Sequence, residues 1–364
     1  MSLLLKKRKK EKKKTTQKMR EKDNYKTLPT DKLSIVIGAN SPLGVHLVNE
    51  LLERGKKIRI LVSNEKKARK FFLDNEIEIF KVNFRNIIEV INSLEKEAIV
   101  YQCVKVPFYR WFRDYPVIHY NIIHAVKKHE ARFVYVDNLS VYGRMKGTKI
   151  TEKDPLIPDS EEGLVRKQLA EQVIIGDQRK EFKAVIVRFP DFYGPYVVND
   201  FSKKVFERPL RYQSAKWYVD IDQPHSFIYI KDAAKALINI GEYIEAYGQI
   251  WHVSGPGAIT GSQLIRMVYV ELNKEPNIKI QSRFWIKILS FFDASLGRIK
   301  DRMEEWEYPF VIDGSKYYET FENEKPTTHR KAISETLEWF KDRLEKKKSD
   351  RKYLAFRYYH PLRW

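Results

Sequence analysis

The sequence predicts an α/β protein, a doubly wound parallel sheet with helices on both faces and a smaller C-terminal α+β lobe. Three observations carry that expectation. Short apolar runs alternate with helix-periodic segments through the first half of the chain. The earliest run, SIVI, stops at Gly38, and a second glycine, Gly44, follows six residues later at the head of a helical pattern. After Gly194 and Pro195 the chain turns irregular and aromatic between short strands.

The stretch from Ser34 to Gly44 sets the frame. Ser34 to Ile37 reads as a buried parallel strand, and Leu43, Leu47 and Leu51, with Val48 and Leu52 beside them, recur at helical spacing up to Gly55. Ile58 to Val62 is the second strand. Strand, glycine turn, helix, strand is a dinucleotide-binding start: amides at a helix N-terminus, with its partial positive charge, can face a pyrophosphate if no side chain blocks them. Gly38 and Gly44 stand where the first and third glycines of the usual three would, with Ser41 in the middle place. A serine narrows the approach but offers its hydroxyl. The candidate contacts are Gly38, Asn40, Ser41, Pro42, Leu43 and Gly44; the other use of such glycines is tight helix-on-sheet packing.

A chain of 364 residues, 43% hydrophobic and 13% aromatic, can bury a large core in two domains or one enlarged one. Its one cysteine, Cys103, excludes an internal disulfide, and the first residues lack the apolar core and small-residue cleavage site of a secretion signal, so a cytoplasmic location is expected. No run reaches transmembrane length. The eight histidines are scattered without metal-ligand spacing, and no metal is predicted. Residues 1–32 hold 13 Lys/Arg against 4 Asp/Glu and residues 341–364 hold 9 against 3, so most of the net charge of +20 sits at the ends. Such runs read as solvated tails with weak polyanion contact as their further use. The aromatic C-terminal segment YLAFRYYHPLRW is expected to dock on the body or on a partner subunit.

Taken in order, the second strand ends at Val62 and Ser63, where an acidic residue would hold ribose hydroxyls in an NAD-specific site. None stands there, and Lys66, Lys67 and Arg69 follow, so of NAD and NADP the latter is slightly favoured, Ser63 and Lys67 being the residues that face it. A helix through Phe71, a strand Ile77 to Val82, a helix Ile87 to Leu94 and a strand Ala98 to Tyr101 continue the alternation. Loops at the carboxyl ends of the strands line the crevice, which adds Asn83, Phe84, Gln102, Cys103 and Val104 as cofactor neighbours. Cys103 reads as a small buried hydrophobe rather than a nucleophile. The aromatic cluster at Pro107, Phe108, Tyr109 and Trp111 opens a helix to His129 with Ile118, Ile122 and Val126 on one face. Strand five runs from Arg132 to Val136.

Seven pieces then fall in a telling order between Leu33 and Phe340: VIGANSPLG, VYVDNLSVYG, ITEKDPLIP, the helix around Ala170 and Glu171, RFPDFYGP, SFIYIKDAAKAL and WHVSGPGAIT. In these the chain resembles an atypical extended short-chain dehydrogenase/reductase of the NAD-dependent epimerase/dehydratase family, with its Rossmann-like fold. The resemblance implies a Ser/Thr after strand five and a Tyr-x-x-x-Lys pair on the next helix, the tyrosine exchanging a proton with a substrate hydroxyl while hydride passes to or from a nicotinamide. Here those three positions hold Asn138, Glu162 and Arg166. A carboxylate ionised beside an arginine cannot donate a proton as a phenol does. Glu162 and Arg166 sit at i and i+4 and also read as a plain helix ion pair. In the functional reading Arg166 reaches the cofactor ribose, and Tyr142 and Tyr193 are the phenols expected near the crevice. Pro190, in RFPDFYGP, is a further cofactor candidate. A narrower resemblance, to epimerase-like proteins with Arg in place of the lysine, rests on Asp137 to Leu139, Pro107 to Trp111, Arg166, and Pro224 with His225.

The expected organisation is a basic tail over 1–31, a dinucleotide-binding domain over 32–195 to which 225–254 returns, a substrate lobe and lid over 196–345, and a basic aromatic tail over 346–364. Phe227 to Ile230 and Ile250 to Val253 read as strands flanking a helix around Ala233 to Ile240, with Asp232 an anchor for backbone amides. Thr260 with Gln263 reads as a helix start, and a closing helix runs from Thr328 to Leu344. The apolar and basic segment from Ser282 to Met303 is expected to be a lid rather than a membrane-surface helix. Two functions follow: an oxidoreductase acting on a sugar-nucleotide-like or other small hydroxylated molecule, or a dinucleotide-binding sensor, scaffold or subunit without chemistry. A homodimer is expected through the helices near Trp111 to His129 and Gly163 to Arg179.

Overall fold

The computed structural model describes residues 26–29, 31–72, 77–106, 108–143, 149–282 and 306–359. Strands β1 (Ser34–Ile37), β2 (Ile58–Val62), β3 (Ile77–Lys81), β4 (Ile99–Gln102), β5 (Arg132–Asn138) and β6 (Lys183–Phe189) alternate with helices α1 (Pro42–Glu53), α2 (Glu65–Phe71), α3 (Ile87–Ser93), α4 (Phe108–Lys128) and α5 (Glu161–Gln178). Then come β7 (Asp191–Tyr193), β8 (Ala215–Tyr218), β9 (Pro224–Tyr229), α6 (Ile230–Glu242), β10 (Ile250–His252), β11 (Ala258–Thr260), α7 (Gly261–Glu271), β12 (Ile278–Gln281), α8 (Ser315–Thr320) and α9 (His329–Tyr359).

Seven strands form one parallel sheet in the order β10-β6-β5-β4-β1-β2-β3. Apart from the edge strand β3, where Glu78 and Phe80 are exposed, its strands are buried on both faces, which is why they read as continuous apolar runs rather than alternating ones. On one face α1 packs against α6, with Val36, Leu47, Val48, Leu51 and Leu237 closed off from solvent. On the other, α3, α4 and α5 cover Ile35, Val100, Phe133 and Ile186. Each such side chain is worth roughly 1.5–3 kcal/mol of apolar burial.

The smaller lobe has its own core, built on Phe201, Phe206, Trp217, Phe227, Trp306 and Phe340. It holds a three-stranded sheet, β11-β9-β7, with β7 and β9 parallel and β9 and β11 antiparallel, and a parallel pair of β8 and β12. Strand β9 therefore belongs to this small sheet, while β10 joins the large one. The start of α7 is the reciprocal cap its sequence suggests, Thr260 Oγ1 accepting from the Gln263 amide and Gln263 Oε1 from the Thr260 amide.

Several boundaries move. β5 runs two residues past Val136 because its ladder with β6 continues to Asn138 opposite Phe189. That extension carries Asp137 and Asn138 out to the crevice. The closing helix is longer than expected, reaching Tyr359. Residues 26–28, inside the stretch read as tail, run along the body: the Leu28 amide donates to Glu242 O at 2.7 Å, and Leu28 itself is buried. Residues 1–25, nearly all of the Ser282 to Met303 segment, Pro107 and residues 360–364 lie outside the described residues. Among the described residues no helix is long and apolar enough to cross a membrane.

Candidate functional site

β1 lies between β2 and β4, and the chain winds away from it in both directions, which leaves a crevice at its carboxyl end. Gly38 turns there with φ at +81°, and a Cβ on it would stand 2.7 Å from Cys103 O and Val104 Cα. A Cβ on Gly44 would stand 2.6 Å from Gly38 O. Both glycines thus serve close packing, and that packing is what presses the N-terminus of α1 onto the turn. The expected row of open amides is shorter than the sequence suggested. Ser41 Oγ accepts from the Gly44 amide at 3.0 Å, Ser41 O accepts from Val45 N at 2.9 Å, and Pro42 has no N–H. On the helix itself, what remains is the Leu43 amide, beside the hydrogen of the Ser41 hydroxyl, now fixed in place by its cap.

Two joined hollows form one trough from this turn. The wider, about 660 Å³, is lined by Gly38, Asn40, Ser63, Lys67, Asn83 and Phe84. The narrower, about 270 Å³, is lined by Leu43, Cys103, Asn138, Arg166 and Pro190. Ser41, Pro42 and Val104 line both. Gly44 lines neither and sits beneath. In the wider hollow Asn40 Nδ2 donates to Asn64 O at 3.0 Å, and its buried Oδ1 has no hydrogen-bond partner among the described residues. Asn83 folds onto its own loop, its Oδ1 accepting from Arg85 N at 3.2 Å. Lys105 lines both hollows; partial desolvation first, and then the charge of Lys67, hold its ammonium below its ordinary value. Two cations therefore face one another over the trough. Burial pushes the Cys103 thiol up to about 12, so it stays neutral there.

The strand-five end is built from side chains. Asn138 Oδ1 accepts from the Ser140 amide at 3.1 Å and from Ser140 Oγ at 2.7 Å, so it caps its own turn. Gly163 lets α5 press on that turn, since a Cβ would stand 2.3 Å from Ser140 O. One turn further, Arg166 Nε donates to Glu162 Oε1 at 3.0 Å, a guanidinium nitrogen lies 3.5 Å from Asp137 Oδ1, and the group covers the Trp111 ring at 5.4 Å. Burial alone would lower the Arg166 pKa, but Glu162, Tyr115 and Asp137 raise it and keep it charged. Glu162 itself does not line the trough.

Tyr142 and Tyr193, expected near the crevice, lie outside it. Both are fully buried, and neither lines either hollow. Tyr142 OH stands 2.7 Å from His252 Nε2 and accepts from Arg188 at 2.6 Å, while Arg188 Nε donates to Asp137 Oδ2 at 3.0 Å. Tyr193 stacks on Phe206 at 6.0 Å and meets His329 Nδ1 at 3.0 Å. Burial raises both phenols. The turns at Gly143 and Gly194, with φ of +63° and +131°, send the flanking rings into the cores instead of the trough.

Two site residues, Tyr115 and Lys105, were not singled out in the sequence, and Asp137 was named there only for the narrower resemblance. Tyr115, Lys105 and Asp137 all line the narrower hollow. Tyr115 extends the Ile118 and Ile122 face of α4 one turn back towards Trp111, and that periodicity is the signal that finds it. Gln102 also lines this hollow. His119 Nε2 must donate to Leu169 O at 3.1 Å, so its Nδ1 accepts from Gln102 Nε2 at 3.3 Å. Gln102 Oε1 and Asp137 Oδ1 are then buried acceptors with no hydrogen-bond donor among the described residues.

A family model described as "NAD dependent epimerase/dehydratase family" matches residues 34–253. By sequence, no curated protein matches the chain. Solved structures do resemble it in fold. A dTDP-glucose 4,6-dehydratase from Bacillus anthracis, in complex with NAD, is 17% identical with a TM-score of 0.70, over 86% of this chain and 98% of that one. A UDP-glucuronic acid 4-epimerase from Bacillus cereus, in complex with UDP-glucuronic acid and NAD, is 16% identical with a TM-score of 0.71, over 85% and 99%. A UDP-N-acetylglucosamine 4-epimerase from Methanobrevibacter ruminantium, in complex with UDP-N-acetylmuramic acid, is 17% identical with a TM-score of 0.70, over 86% and 100%.

Proposed function

The chain belongs to the NAD dependent epimerase/dehydratase family, and from that premise we propose that it binds a nicotinamide dinucleotide and acts as an oxidoreductase of the epimerase/dehydratase type on a sugar-nucleotide-like or other small hydroxylated molecule. The observation that carries the reading is the glycine cradle: Gly38 and Gly44 admit no Cβ, and the buried Oδ1 of Asn40 beside them waits for a donor. Residues and group fit. The Leu43 amide and the Ser41 hydroxyl would hold the diphosphate, and Asn40 Oδ1 a ribose hydroxyl. Lys67 and Lys105, two cations without an acid at Ser63, favour the 2′-phosphate of NADP. When bound, the dinucleotide takes up or supplies a hydride.

The chain's own residues orient rather than exchange protons at the family positions. Arg166 stays charged, held by Glu162 and Asp137, and is a donor for ribose oxygens. From the smaller lobe, Val197, Val198, Asn199 and Phe310 reach the narrower hollow and close its substrate side. A second reading, a dinucleotide sensor or scaffold without chemistry, draws on one observation: Asn138, Glu162 and Arg166 bond to their neighbours where Ser, Tyr and Lys would act. Equilibrium dialysis of the full chain against NAD and NADP, followed by absorbance of reduced nicotinamide across a panel of hydroxyl and keto compounds, separates the two. Binding with turnover supports the enzyme, binding without turnover the sensor, and no binding defeats both.

A further inference from the structure

The family's proton-exchanging position carries no hydroxyl here, yet the trough is not without a phenol. Among the described residues one tyrosine, Tyr115, lines the narrower hollow. It comes from α4 rather than α5, and it is 4% exposed. Its ring is fixed on both sides, 5.1 Å from Trp111 and 6.5 Å from His119 between centroids. Trp111 in turn carries the Arg166 guanidinium on its face, so phenol and cation are set by one aromatic post.

The surroundings of that hydroxyl suit a group that gains and loses a proton. Burial raises the phenol, and Asp137 adds to the rise; the charge of Arg166 acts against it, the part a lysine plays beside the tyrosine of the family's usual pair, and so do Tyr135 and Gln102. Among the described residues Gln102 Oε1, a buried acceptor without a donor, lines the same hollow as Asp137, whose Oδ1 accepts no hydrogen bond and meets only the Arg166 guanidinium at 3.5 Å. An unpaired buried acceptor costs about 1–3 kcal/mol, so Gln102 Oε1 favours a ligand that brings a hydroxyl donor, and Asp137 Oδ1 can accept a second beside its ion pair. Three polar groups thus converge on one small space.

We propose that Tyr115 is the proton-exchanging residue of this protein, and that Asp137 and Gln102 receive hydroxyl groups of a polyhydroxylated, sugar-like substrate. In oxidation the substrate's C–H bond breaks with its electron pair passing to the nicotinamide. Its O–H proton goes to the Tyr115 phenolate, leaving a carbonyl, a reduced nicotinamide and a neutral phenol. In reduction each transfer reverses, the Tyr115 hydroxyl giving its proton to the carbonyl oxygen. The proposal rests on the dinucleotide reading above.

The test uses the full chain as wild type, Tyr115→Phe and Tyr193→Phe, each substitution removing one buried hydroxyl and no ring, the second of them outside the trough. Dialysis against NADP and NAD comes first; both variants are expected to bind within about threefold of wild type. Adding the oxidised dinucleotide near pH 9 should then raise the tyrosinate absorbance of wild type and Tyr193→Phe by roughly one phenolate per chain, because the cationic ring joins Arg166 in stabilising it. Tyr115→Phe should show no such rise. A rise that persists in Tyr115→Phe, vanishes in Tyr193→Phe, or never occurs in wild type overturns the proposal while the dinucleotide reading stands. Failure of all three proteins to bind dinucleotide overturns both, and dialysis reports that before any spectrum is taken.

Discussion

The two ends of the trough are made by different means. At the Gly38 turn the backbone forms the site, with glycines where a Cβ would collide and a serine tying down the helix start. At the carboxyl end of β5 side chains form it, through Asp137, Arg166 and Arg188, with Tyr142 and His252 behind them. The difference teaches where change is tolerated. A backbone cradle has almost no chemical substitutes, because only glycine passes. A side-chain cluster can be rebuilt with other residues so long as its charges stay paired, and this chain has rebuilt it.

The comparison is broken most sharply at the side-chain end. Arg188 and Asp137 are closed to solvent and bonded to each other, so Arg188→Met leaves a buried carboxylate facing only Arg166 across 3.5 Å. Loss of about 3–5 kcal/mol in urea unfolding is expected. A loss under about 1 kcal/mol would mean that the cluster is not what holds this end together.

At the backbone end, Gly38→Ala must move the β4 terminus by several tenths of an ångström and adopt a left-handed φ. Roughly 2–3 kcal/mol of stability should go, and dinucleotide binding with it. If binding survives in dialysis, the cradle is not the cofactor contact.

Acid sharpens the contrast with one imidazole at each end. His46, on α1, is lowered to about 4 by burial, and His252, behind β5, to about 3 by burial and then Arg188. Both are neutral in the folded chain and take up protons more readily when unfolded. Their stabilisation is therefore complete above the unfolded value near 6.5 and is lost as pH falls towards about 3–4. At about pH 5.5 each accounts for at most ~1.4 kcal/mol, seen as a falling Tm. His46→Leu should remove part of that slope; an unchanged slope would count against its burial as the cause.

The smallest expected effect is on cofactor choice. Lys67→Glu should shift the NADP to NAD affinity ratio about tenfold towards NAD, near 1.4 kcal/mol, with little change in Tm. Equal ratios in the two proteins would remove Lys67 from the site.

Much of the scaffold was legible. The strands from β1 to β5 fall within one or two residues of their expected runs, because a parallel strand buried on both faces leaves an unmistakable hydrophobic stretch. Thr260 with Gln263 was legible as a cap for a similar reason, since its chemistry is local. Tyr142 and Tyr193 were not. Their place near strand ends suggested the crevice, yet a ring's direction depends on the turn beside it and on cores assembled from distant segments. Tyr115 and Lys105 escaped notice for the converse reason, that nothing near them in sequence marks the hollow they face.

The amino-acid order by itself determined the alternation of strand and helix, the glycine turn at residue 38 and the loss of the Ser, Tyr and Lys side chains at three family positions, because each is written in neighbouring residues. Only the folded chain decided which phenol faces the narrower hollow, which carboxylate oxygen accepts no hydrogen bond and which lysines line one hollow. Those depend on groups brought together across Lys67 and Lys105, or Gln102, Tyr115, Asp137 and Arg166, and separation along a chain carries no record of distance in space.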